Sequence, residues 1–105
     1  MIDETLIAEA ARRLSEAAPH AEIIVFGSSA RGETGPDSDL DFLVVEPAVV
    51  DRHREMVRLA RVLRPLGVPV DIVVVSREYF DDWAGVEGTL MHAALIEGRT
   101  FDVAP

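Results

Sequence analysis

Apolar and charged positions recur at helical spacing over residues 3–18. Leu6, Ile7, Ala10, Ala11 and Leu14 fall on one face, and Glu9, Arg12, Arg13 and Glu16 on the other. Pro19-His20 ends this predicted helix. The pattern then shortens to a β-branched run, Glu22 to Phe26, closed by Gly27, which predicts a strand. Ser28 to Ser38, with Gly32, Gly35 and Pro36, predicts a turn holding at most a short helix. A second strand is expected from Asp39 to Val45, ended by Glu46-Pro47. A second amphipathic helix follows from Asp51 to Leu66, burying Met56, Leu59, Ala60, Leu63 and Leu66 and broken by Gly67 and Pro69. Val68 to Val75 reads as a third strand, apolar throughout except for Asp71. Ser76 opens a short helical turn to about Trp83, and Glu87 to Glu97 forms a last helix stopped by Gly98. This order predicts one α/β (α+β) domain over residues 1–105. Its small mixed sheet of three to four strands carries helices on one face, leaving the other to hold a site.

Composition narrows the function classes. Residues are 49% apolar, which suits a chain that buries a core. No apolar stretch approaches the roughly 20 residues of a membrane span. Met-Ile-Asp-Glu-Thr at the start lacks a basic region and a small-residue cleavage site, so no secretory signal is expected. The absence of cysteine excludes disulfides, thiolate metal sites and thiol nucleophiles, and fits a cytoplasmic setting. A net charge of −9 argues against direct binding of nucleic acid, where Lys and Arg must neutralise phosphates. All ten cationic side chains are arginine, so no lysine is available as a phosphate point charge or nucleophile.

Against this background three aspartates stand out. Asp39 and Asp41 occupy positions i and i+2 of an oily strand, hence one sheet face, and repel each other there. Asp71 interrupts the third strand, and if the two strands are neighbours it joins them. Same-face carboxylates along a strand repeat at roughly 6.6 Å. That gap suits two hard cations about 3.5–4 Å apart, and Mg fits because its shell is completed by water and nucleotide phosphate. Upstream, Gly27 leaves space for a phosphate, Ser28 offers a hydroxyl, and the backbone N–H groups that follow can point at phosphate oxygens. Arg31 is the nearby cation able to fork onto a phosphate. An EF-hand reading of Asp37, Asp39 and Asp41 fails, because Phe42 takes the glycine position and Ala48 that of the bidentate glutamate. A Walker A reading of Gly27 to Gly32 fails because Glu33 replaces the lysine.

Taken together, GSSARGETGPDSDLDFLVV at 27–45 and VDIVVVS at 70–76 resemble the minimal nucleotidyltransferases of the DNA polymerase beta-like superfamily. EGRTFD at 97–102 is similar to that family's strand-like C-terminal tail. The resemblance implies a nucleotidyltransferase fold, with Gly27, Ser28 and Arg31 binding nucleotide phosphate. Asp39, Asp41 and Asp71 would be the metal-ligating, catalytic triad, with Asp71 assisting as a base. It further implies Mg, ATP as substrate, transfer of AMP to a hydroxyl of a partner protein, and a toxin–antitoxin pairing in which this chain neutralises a HEPN-domain ribonuclease. The acidic charge suits a basic partner of that kind. The alternative is a non-catalytic antitoxin that blocks the partner by occlusion, and homo- or hetero-oligomers fit either reading.

The remaining features read more blandly. Arg54, Arg58 and Arg61, flanked by Arg52 and Arg64, form a stripe that is either a solvated face or a docking surface for an acidic partner. His20, His53 and His92 lack ligand spacing. Trp83, with Tyr79 and Phe80, is expected in core or subunit contact rather than base stacking.

Overall fold

The computed structural model describes residues 4–27 and 40–101. Helix α1 (Glu4–Ala17) leads into strand β1 (Glu22–Phe26), and β2 (Leu40–Glu46) into helix α2 (Arg52–Leu63). Strand β3 (Val70–Ser76), helices α3 (Arg77–Trp83) and α4 (Leu90–Glu97), and strand β4 (Arg99–Phe101) complete the order. The mixed sheet runs β3-β2-β1-β4. β1 pairs antiparallel with β2 and β4, while β2 and β3 are parallel, a pairing that needs the crossover α2 provides.

Local chemistry sets most of the boundaries. Asp51 caps α2, its carboxylate accepting from Arg54 N–H at 3.1 Å. The helix expected to Leu66 stops at Leu63 and tightens into a 3-10 turn over Arg64–Leu66. Pro65 has no N–H to continue the α ladder. Ser76 ends β3 beside Glu46 and caps α3, accepting from Tyr79 N–H at 3.1 Å. The last helix begins at Leu90 rather than Glu87, because Thr89 caps it through His92 N–H at 3.2 Å. At the far end of α4, a Cβ on Gly98 would lie 2.3 Å from Ala94 O and 2.5 Å from Ile24 Cγ2. This close approach seats α4 on β1.

Alternation along the strands divides the core in two. Ile23, Val25, Leu40, Phe42, Val44, Ile72 and Val74 pack under α1 and α2, against Ile7, Leu14, Leu59 and Leu63. Ala60, expected inside, is exposed. Ile24, Leu43, Val45 and Val75 face the other way and pack with Phe80, Ala84, Met91 and Ala94 of the α3–α4 segment. The two long helices therefore share one face, and the short ones close half of the opposite face. Phe26 and Val73 form the border of that second cluster. Among the described residues no helix is long and apolar enough to cross a membrane.

Candidate active site

The uncovered half of the second face carries the candidate residues Asp41 and Asp71. Parallel pairing sets Asp41 of β2 directly beside Asp71 of β3, and antiparallel pairing sets Asp41 beside Phe26 of β1. In-register neighbours point to the same face, so both carboxylates stand on the side of Leu43, Val45, Val73 and Val75. They lie just past the apolar border formed by Phe26 and Val73. The strand ends are tied together there by Leu40 N–H, which donates to Pro69 C=O at 3.1 Å. Adjacent strands are about 4.8 Å apart, a spacing at which two carboxylates repel and a cation between them relieves the repulsion. Asp41 is partly buried and Asp71 is exposed, which leaves the pair open from the Asp71 side.

Gly27 closes the other side. Its φ of +75° is in the left-handed region, where a side chain is strained. A Cβ there would also lie 2.6 Å from Asp41 Oδ2. Glycine is therefore required twice over, once by the turn out of β1 and once by the carboxylate lying against the backbone.

The fold thus brings together Gly27, Asp41 and Asp71 from three consecutive strands of the sheet. Ser28, Arg31 and Asp39 lie outside the described residues. Among the described residues no cluster of three His, Asp or Glu side chains gathers as a metal site. The chemistry of the donors that are described, two hard carboxylates side by side on an open face, suits a divalent cation.

The family model for the nucleotidyltransferase domain matches residues 7–96. The chain belongs to the nucleotidyltransferase-domain family. Comparison with curated proteins gives no match. A solved structure assigned as a minimal nucleotidyltransferase is 37% identical, with 91% of this chain and 92% of that chain covered and a TM-score of 0.62. A nucleotidyltransferase assigned in Sulfolobus solfataricus is 23% identical (92% and 77% covered) with a TM-score of 0.61. A toxin-antitoxin structure with AMP-PNP is 19% identical (89% and 70% covered) with a TM-score of 0.63. A mutant of the MntA-HpeT toxin-antitoxin shows the same likeness at 20% identity (97% and 73% covered) and a TM-score of 0.60. At these lower identities the likeness is one of fold.

This nucleotidyltransferase domain holds a second charged cluster that sequence reasoning missed. Glu46, at the far end of β2 from the aspartates, has its carboxyl pushed up to about 7, first by burial and then by the neighbouring Glu55. One of its oxygens, Oε2, is buried with no hydrogen-bond partner. Glu55 is held down at about 2, chiefly by Arg58. Arg58 donates to it in a fork, Nε at 2.6 Å and Nη2 at 2.8 Å. Only the packing of α2 beside the end of β2 makes the cluster, so neither segment alone signals it. His92, by contrast, has an ordinary structural partner in Ala84 O, 2.8 Å from its Nδ1.

Proposed function

We propose that this domain transfers AMP from ATP to a hydroxyl on a partner protein, as the antitoxin of a HEPN-domain ribonuclease, with Mg as cofactor. The observation that supports it most directly is the in-register pair Asp41 and Asp71 beside Gly27 on the open sheet face. Asp39, Asp41 and Asp71 would hold the divalent ions, whose charge would offset that of the phosphates and of the departing pyrophosphate. Gly27, Ser28 and Arg31 seat the triphosphate, with the hydroxyl and guanidinium fixing its orientation. The acceptor oxygen attacks the α-phosphorus in line. The new O–P bond forms as the bond to the bridging α,β-oxygen breaks, and pyrophosphate leaves with that electron pair. The acceptor proton passes to a carboxylate, and the exposure of Asp71, greater than that of Asp41, supports Asp71 in that role. The toxin-antitoxin neighbours, one of them with AMP-PNP, support both the nucleotide and the partner.

The test is label transfer. The domain is incubated with Mg, α-labelled ATP and a HEPN-domain ribonuclease from a neighbouring open reading frame, where one is found. Wild type should label that protein, and Asp41→Ala should not, while still co-purifying with it. Protection of cells by Asp41→Ala equal to wild type would replace transfer by simple occlusion.

A further inference from the structure

Two features that the carboxylate pair does not use lie on one continuous strip of surface. Residues 52–64 hold five arginines against one glutamate, in a chain of net charge −9. Arg54, Arg58 and Arg61 recur at i, i+4 and i+7 and so line one side of α2. Arg58 is engaged by Glu55, whereas among the described residues the guanidinium groups of Arg54 and Arg61 meet no carboxylate. Beside them Val57 is part-exposed, and Val50 stands fully in solvent on an open hollow of about 1050 Å³. A smaller hollow of about 210 Å³ shares Val49 and Val50 with the first and reaches Tyr79. From Tyr79 the strip continues along α3 to Trp83, the ring centroids 6.2 Å apart, both side chains more than 40% exposed. Glu78 and Asp82 repeat the spacing of that aromatic pair, one residue earlier on the helix, and are exposed.

The strip therefore carries Arg54 and Arg61 at one end, in a hollow also lined by Glu46, Asp51 and Glu55, and Glu78 and Asp82 at the other, with Val49, Val50 and Tyr79 beside Arg52 between them. Single exposed aliphatic or aromatic residues are ordinary, but Val50, Val57 and Tyr79 on linked hollows, with Trp83 against Tyr79, are a patch. The hollows are too open to enclose a small ligand, and they suit a protein surface. Both halves of the required complementarity are on the same chain, which singles out a second copy as the occupant.

We propose that this strip is the interface of a two-fold homodimer. The α2 side of one protomer lies on the α3 side of its partner, and the reverse contact follows by symmetry. Arg54 and Arg61 of each chain meet Glu78 and Asp82 of the other, while Val50, Val57, Tyr79 and Trp83 are covered between them. Arginine suits this role, since its planar guanidinium both forks onto carboxylates and stacks on aromatic faces. The interface borders Glu46 and Ser76, at the opposite strand ends from Asp41 and Asp71. Asp41 and Glu46 are five steps apart along β2, about 16 Å, so dimerisation leaves the carboxylate pair accessible.

The experiment is light scattering on the eluting full chain, repeated across protein and salt concentrations. Wild type should weigh twice the 11.5 kDa chain and dissociate as salt rises. Arg54→Glu with Arg61→Glu gives one variant, and Glu78→Arg with Asp82→Arg the other, each with its fold checked by circular dichroism. Each alone should be monomeric, because both of its symmetric contacts become like-charged. Mixed in equal amounts they should form dimers again, because both contacts are then opposite-charged. A wild type that stays at 11.5 kDa, single variants that remain dimeric, or folded variants whose mixture stays monomeric would each overturn the proposal. A monomeric wild type would leave the strip to a different protein.

Discussion

Replacing Gly27 by alanine separates two strains that meet at one atom. The first is in the backbone: at φ +75° an L side chain costs about 1–2 kcal/mol. The second is contact with Asp41. The new Cβ would start 2.6 Å from Oδ2, whereas ordinary van der Waals contact begins at 3.4 Å. Either the carboxylate or the β1 end must therefore withdraw by about 0.8 Å. Coupling between touching residues of this kind is roughly 0.5–3 kcal/mol, so the total loss should be about 1.5–5 kcal/mol. For a domain of this size that lowers Tm by about 6–40 °C. The assay is urea unfolding of wild type, Gly27→Ala, Asp41→Ala and the double variant. In the Asp41→Ala background only the backbone strain remains, so Gly27→Ala should then cost about 1–2 kcal/mol. Under the proposed function, shifting a metal-ligating oxygen by nearly 1 Å should also lower transfer by about a hundredfold. Equal losses in the two backgrounds, to within about 0.3 kcal/mol, would refute the close approach of backbone and carboxylate.

Asp71→Asn removes one of two adjacent like charges, so in chelator it should raise stability by about 0.2–1 kcal/mol. Under the proposed function, the same variant should lose the thermal shift expected of wild type with Mg-ATP, about 2.7 kcal/mol at a hundredfold excess over Kd. Glu46 releases its proton near pH 7 when folded and near 4.5 when unfolded, so its contribution is complete below 4.5 and lost as pH rises through 7. Denaturant titrations of Glu46→Gln should accordingly show a gain over wild type at pH 8 compared with pH 5, by about 1–2 kcal/mol after solvent screening. Glu55 has the opposite sign: its contribution is present above 4.5 and fades as pH falls toward 2. Gly98→Ala drives a methyl group into Ala94 O and Ile24, and should cost about 1–3 kcal/mol in thermal melts while leaving nucleotide affinity unchanged.

Periodicity alone marked the two long helices, the strands that became β1, β2 and β3, and the face on which each strand side chain lies. The reason is local: a helix repeats every 3.6 residues and a strand every two, whatever packs against them. The same rule put Asp41 with Leu43 and Val45, and Asp71 with Val73 and Val75. Family resemblance added the strand-like tail that became β4. Tertiary structure alone decided that β3 lies beside β2, parallel and in a register that makes Asp41 and Asp71 direct neighbours. A slip of one residue would have sent Asp71 into the α1–α2 core, and nothing within either strand states the register. Tertiary packing also seated α3 and α4 over Leu43 and Val45, partly buried Glu46 beside Glu55, and left Val50 and Trp83 uncovered. Burial of a charge or exposure of a valine depends on residues far away in the chain, and those distances close only when the layers assemble.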